Sequence, residues 1–171
     1  MTTLIDCEQR VTVGIADVAV SNKAEAVLMT CALGSCLGIA IHDPVARVGG
    51  LLHTMLPDSS IDSARALSHP AMFIDTGVPA LLRMANKLGA EKHRLLIYVA
   101  GGAQIVDGCG YFNIGKRNRE ALSDLLRQHG LRIESERTGG MVNRTMYLDV
   151  GTGAAIVKVS GQRKEIHLCK S

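Results

Sequence analysis

The apolar residues of this chain fall in short runs separated by Gly, Pro and polar clusters. Two of these runs lie close together: residues 37–41 (LGIAI) and residues 48–56 (VGGLLHTML), divided by the Asp43-Pro44 step. Runs of this length, rich in Ile and Leu and bounded by a Pro turn, predict two antiparallel strands. Ahead of them, residues 11–19 (VTVGIADVA) alternate weakly and predict a first strand interrupted by Gly14. Ser21-Asn22-Lys23 makes a turn, and residues 25–30 (EAVLMT) form a second extended piece. Further along, residues 93–100 predict a buried strand closing on Gly101-Gly102. Strands at 131–137, 143–149 and 154–160 are divided by Gly139-Gly140 and Gly151-Thr152-Gly153.

The period changes to that of a helix in two places. Over residues 75–88, Val78, Leu81, Leu82, Ala85 and Leu88 share one face. Asp75 or Thr76 is placed to cap the helix, Pro79 is tolerable only in a first turn, and Gly89 stands at the C′ position. Over residues 116–129, Ala121, Leu122, Leu125 and Leu126 face inward and Gly130 ends the helix. Residues 58–69 (DSSIDSARALSH) are polar and Ser-rich and read as a surface loop; residues 104–113 are irregular. An order that is mostly strand, with two inserted helices, predicts an α+β fold: sandwich-like layered sheets with the two main helices packed outside, not a doubly wound parallel sheet. With 171 residues the expectation is a single domain, 1–171, with a core over about 11–160 and a weakly patterned tail, 161–171, that frays.

Composition narrows the function. Hydrophobic residues make up 47%, with two Phe, three Tyr and no Trp, so the core is aliphatic. The net charge of +3 is mild and its basic residues are scattered, which argues against nucleic-acid binding. The N-terminal MTTLIDCEQR lacks the apolar stretch of a secretory signal, and no apolar run approaches ~18 residues, so no membrane span is expected. Five cysteines without paired spacing predict free thiols in a reducing cytoplasm. No CxxC, HxH or HExxH occurs, so neither a metal nor another cofactor is expected, and a lone Gly101-Gly102 is weak support for a phosphate site.

The candidate chemistry lies in the hairpin. A turn centred between Pro44 and Val45 sets Cys36 directly opposite His53, within reach of a thiol–imidazole hydrogen bond. Gly49-Gly50 mark a place where a bulge would shift that register. Singly, a buried cysteine or a core histidine is the commoner reading. Together the two supply a nucleophile and a proton carrier, with the imidazole lowering the thiol's pKa, so alkylation of Cys36 is expected to depend on His53. Gly34-x-Cys36-x-Gly38 also looks like a nucleophile elbow, but it leads into a strand where that elbow needs a helix, so an α/β-hydrolase is rejected. The small residues 32–35 let backbone amides approach a substrate as candidates for an oxyanion hole. Cys7, Cys31, Cys109 and Cys169 lack a positioned histidine and read as structural.

Thr30, Leu33-Gly34-Ser35-Cys36 and His53-x-Met55-Leu56-Pro57 resemble the CheD family of chemoreceptor glutamine deamidases. So do Asp75 with Leu81-Leu82 ahead of Gly89-Ala90, Gly101-Gly102-Ala103, Ile114-Gly115-x-Arg117-Asn118, and Gly139-Gly140 followed by Arg144. The resemblance covers roughly residues 11–160 and implies a layered fold shared with the cytotoxic necrotizing factor toxins. It implies a cytoplasmic enzyme that converts selected Gln side chains of methyl-accepting chemoreceptor helices to Glu. In it Cys36 is the nucleophile, His53 the base and acid, and Thr30 the residue that orients the imidazole. It also implies a CheC-type phosphatase as partner. Alternatives are hydrolysis of receptor methyl esters and a silent regulatory subunit that only binds the phosphatase; the presence of Thr30, Cys36 and His53 together weighs against the latter. Arg117 and Asn118 are placed either to contact the substrate backbone or to brace the fold, and bracing is the preferred reading. Tyr98-Val99-Ala100 departs from the family's usual basic and aromatic pair, so no substrate contact is carried over to that strand. A substrate glutamine carried on a helical rod calls for a shallow site, with residues 58–69, Arg65 among them, as its rim.

Overall fold

The two periods of the sequence are segregated in space. The computed structural model describes residues 9–104, 113–162 and 165–168. One five-stranded sheet has the order β1 (Arg10–Thr12), β3 (Val27–Leu33), β8 (Arg144–Asp149), β9 (Ala155–Val159), β10 (Glu165–His167). The other has the order β2 (Asp17–Ser21), β5 (Val48–Thr54), β4 (Leu37–Asp43), β6 (Leu96–Gly101), β7 (Ser135–Thr138). Between the sheets lie Leu28, Ala40, Leu51, Met146, Leu148 and Val157. The far face of the second sheet presents Ile39, Ile41, Leu52 and Val99 to the helices α2 (Ile74–Lys87) and α3 (Ile114–Gln128). The α+β expectation of layered sheets with helices outside therefore holds.

Layering explains the patterns along the strands. All seven residues of β4 and of β5 are buried, because one face meets the other sheet and the opposite face meets the helices. Strands β8 and β9 alternate buried and half-buried, because only one of their faces is covered. Each fully buried Leu or Ile contributes roughly 1.5–3 kcal/mol, so the central hairpin is the best-anchored element in the chain.

The structure corrects several expectations. In the β4–β5 hairpin Asp43 pairs with Val48 and Gly38 with His53, so the connection holds four residues, and Cys36 is not directly opposite His53. The cause is the turn and not a bulge at Gly49-Gly50, for the ladder runs unbroken through both glycines. Asp43 accepts hydrogen bonds from the Val45 and Ala46 amides, and Arg47 adopts φ +52°, which together close the wider turn. The expected first strand is two strands in different sheets: Val11 pairs with Leu28, and Val18 pairs with Leu52.

Residues 58–69 are not a plain loop. Asp58 accepts from the Ser60 amide over a 3-10 turn (Ser59–Ile61), and Asp62 caps the short helix α1 (Ser63–Ser68) through the Arg65 amide. Asp75 does not cap its own helix; it accepts from the Ser59 amide and hydroxyl, while α2 starts early enough to leave Pro79 inside it. The tail does not simply fray: Glu165–His167 pairs with β9, and Leu168 is buried.

Candidate active site

His53 comes from β5 with its ring on the inter-sheet face, where it is fully buried. Its Nδ1 lies 2.7 Å from the Thr30 hydroxyl, which comes from β3 of the opposite sheet. That hydroxyl in turn donates to the Val13 carbonyl at 2.8 Å. A hydroxyl has one proton, and a carbonyl can only accept, so the arrangement satisfying both contacts places the proton of the neutral ring on Nδ1. The tautomer so assigned leaves Nε2 as the basic nitrogen, and Nε2 has no partner among the described residues. Burial pushes the imidazole below its ordinary pKa, so the resting ring is neutral.

Cys36 stands at the head of β4, on the chain that crosses from one sheet to the other. The crossing starts with a bulge between Thr30 and Leu33, where Ala32 takes φ +57°. Three successive carbonyls then have donors. The Ala103 amide donates to Gly34 at 2.8 Å, Asn118 Nδ2 to Ser35 at 3.0 Å, and the Gly102 amide to Cys36 at 2.8 Å. Among the described residues, no other residue accepts from the Ser35 or Cys36 amide. These two donors adjoin the thiol along the chain. Cys36 is partly exposed and packs against the inter-sheet cluster. Its thiol is pushed up by burial, against a smaller lowering by its own amide.

Gly38, with no side chain, is what pairs with His53. Cys36 lies two residues further on the same face, diagonal to the imidazole, a relation that spans roughly 7–8 Å between Cβ atoms and is bridged by longer side chains. Burial of both groups favours the neutral thiol and the neutral imidazole over the ion pair expected from the sequence.

A family model described as CheD chemotactic sensory transduction matches residues 55–159. A protein of Solibacter usitatus named probable chemoreceptor glutamine deamidase CheD is 44% identical over 158 residues, covering 92% of this chain and 94% of its own. One from Syntrophus aciditrophicus named probable chemoreceptor glutamine deamidase CheD 1 is 46% identical over 151 residues, covering 88% and 94%. One from Pyrococcus horikoshii, with the first relative's name, is 43% identical over 147 residues, covering 85% and 89%. The chain belongs to the CheD family. The family-model match begins beyond His53, so the reading of Thr30, Cys36 and His53 rests on their geometry.

Other CheD-type motif residues prove to be scaffold around the cysteine. Gly101, at φ +104°, has no room for a Cβ because the Cys36 carbonyl lies against it. Gly115 is likewise pressed on the carbonyls of Gly102 and Ala103, which seats the start of α3. The Gly101-Gly102-Ala103 segment thus holds the Cys36 loop. Asn118 is fully buried and braces, as expected, whereas Arg117 is exposed. Cys31 sits exposed at the bulge, and Cys7, Cys109 and Cys169 lie outside the described residues. No group of three or more His, Cys, Asp or Glu side chains is placed to hold a metal among the described residues. Sequence reasoning missed the Val13 carbonyl and the Gly102 and Ala103 amides, because backbone groups carry no residue signature.

Proposed function

We propose that this protein is a cytoplasmic glutamine deamidase that converts selected Gln side chains of chemoreceptor cytoplasmic helices to Glu. The observation that carries the reading is the Thr30–His53 bond at 2.7 Å, which leaves Nε2 as the basic nitrogen of a ring on the same sheet face as Cys36. The named activity of the relatives supports it. His53 Nε2 takes the thiol proton as the Cys36 sulfur attacks the amide carbon. The oxygen of the tetrahedral intermediate gathers negative charge, and the Ser35 and Cys36 amides are the donors that receive it. His53 then hands its proton to the nitrogen, the C–N bond breaks, and ammonia leaves a thioester on Cys36. Water gives a proton to the same Nε2 and adds to the thioester; expulsion of the sulfur, reprotonated by His53, yields the glutamate and restores the thiol.

Thr30 holds the tautomer throughout, since Nδ1–H donates to it in both neutral and protonated rings. A CheC-type phosphatase would act by covering the same opening, in competition with the receptor. Arg65, exposed on α1, is the proposed rim contact for an acidic stretch of receptor helix; its charge reversal weakens receptor binding without changing stability. The deciding experiment incubates protein with a receptor cytoplasmic fragment and reads ammonia release and the +1 Da shift of each peptide. Cys36→Ser abolishes both while Cys31→Ser retains most activity; the reverse result overturns the choice of nucleophile.

A further inference from the structure

We infer that Asn118 is a positioning residue for the oxyanion donor, setting the direction of the Cys36 amide through the carbonyl on the same peptide. The inference rests on the Cys36 acyl-transfer reading above and goes beyond it in assigning a residue that touches no substrate.

Asn118 lies in the second turn of α3 and is fully buried. Both hydrogens of its Nδ2 are committed: one to the Ser35 carbonyl at 3.0 Å and one to the Met55 carbonyl at 2.8 Å. The Ser35 carbonyl and the Cys36 N–H belong to one planar peptide, so fixing the oxygen fixes the hydrogen on its opposite side. Met55 lies two residues past His53, so the same amide group ties the cysteine segment to the strand that carries the base. Oδ1 is buried with no partner among the described residues. A flipped amide would set that oxygen against two carbonyls, so the orientation is forced, and the group is held for its two donated bonds. Donation to the Ser35 oxygen also polarises the peptide and strengthens its N–H as a donor.

The neighbouring carbonyls of Gly34 and Cys36 are held by the backbone amides of Ala103 and Gly102, which no side-chain substitution removes. Of the three tethers on this loop, only the one on the Ser35–Cys36 peptide, which carries the second of the two oxyanion donors, is a side chain. That makes it separable by mutation from the rest of the scaffold.

The test compares Asn118→Ala and Asn118→Ser with the parent chain. Deamidation of a receptor fragment gives kcat and KM, and iodoacetamide gives the rate and pH profile of Cys36 alkylation, a reaction that builds no oxyanion. The expected result is a kcat lower by roughly 10- to 100-fold with KM nearly unchanged. The Cys36 alkylation profile moves far less than kcat, since the amide's effect on the thiol is the smaller of the two acting on it, and the Ser variant, which keeps one donor, lies between Ala and parent. Where Asn118→Ala fails to fold, Asn118→Ser decides. Parent-like kcat in a folded variant, an alkylation profile that shifts together with kcat, or loss of the fold in both variants would each overturn the inference and leave Asn118 as a core brace. Cys36→Ser separates the two readings: an active Cys36→Ser removes the acyl-transfer scheme itself, whereas an inactive one beside a fully active Asn118→Ser removes only the role given to Asn118.

Discussion

At the scale of single residues, the site depends on protons that have not yet moved. Burial lifts the Cys36 thiol above its ordinary pKa and lowers the His53 imidazole below its own. Both shifts favour neutral partners over an ion pair. The sign fixes the pH behaviour. Deamidation falls on the acid side only as His53 gains a proton, through a pKa below the usual imidazole value. Alkylation of Cys36 rises only as the thiol ionises, above the usual thiol value. Replacing His53 by Ala therefore abolishes deamidation but leaves the iodoacetamide rate nearly unchanged. This reverses what the sequence alone led one to expect, and a labelling rate that drops sharply in His53→Ala would restore the ion pair. Thr30→Val removes the acceptor for Nδ1–H and strands the Val13 carbonyl. We expect kcat lower by roughly 100-fold, with Thr30→Ser keeping most of it; equal rates in Val and Ser variants would show that the hydroxyl does not set the tautomer.

At the scale of elements, the hairpin was legible and its register was not. Alternation and the Asp-Pro step reveal two strands, but the length of the turn depends on where Asp43 places its carboxylate, and that is a tertiary matter. Two extra turn residues, Ala46 and Arg47, both on the β5 side, moved the imidazole from directly opposite the thiol to the diagonal. Cys36 and His53 still share a face of the sheet, because diagonal positions do. The crossing from β3 to β4 was less legible still, since Ala32 gives no hint of a left-handed conformation. That position yields a prediction. Ala32→Gly relieves the conformation while adding unfolded-state freedom, so stability changes by no more than about 1 kcal/mol and activity is kept. Ala32→Val, β-branched at positive φ, lowers the midpoint of thermal unfolding and reduces deamidation together, as the cysteine loop shifts. Unaltered activity in the folded Val variant would mean that the bulge does not place Cys36.

For the whole molecule, the sandwich was readable because its central strands are apolar throughout and its outer strands alternate. Which strand joins which sheet was not, as β1 and β2 are short and their partners lie far along the chain. The same central strand carries chemistry at one end and structure at the other. Cys36 precedes its first residue, and Asp43 closes it, roughly 20 Å away at ~3.3 Å per residue. Asp43 is wholly buried; burial alone would raise its pKa, yet the Arg94 guanidinium at 2.8 Å and the amides of Glu91, Ala46 and Val45 hold it far below the ordinary carboxylate range. A carboxylate depressed in the folded state stabilises fully above its unfolded pKa, and that contribution is lost as pH falls through the folded one. Stability should therefore decline below about pH 4, while activity has already fallen through His53. Asp43→Asn removes the buried charge partner of Arg94, leaving only the more exposed Glu91 carboxylate, and sets an amide against the Glu91 N–H. It should cost on the order of 3 kcal/mol and lower the unfolding midpoint by roughly 6–12 °C. It should also flatten the acid limb of the stability curve, because the titrating group is gone. Below the new midpoint the folded variant should deamidate at the parent's rate. A variant that keeps the parent's midpoint would show that the Asp43 pair does not hold the fold, and one that loses its kcat while still folded would show that the two ends of this strand are not independent.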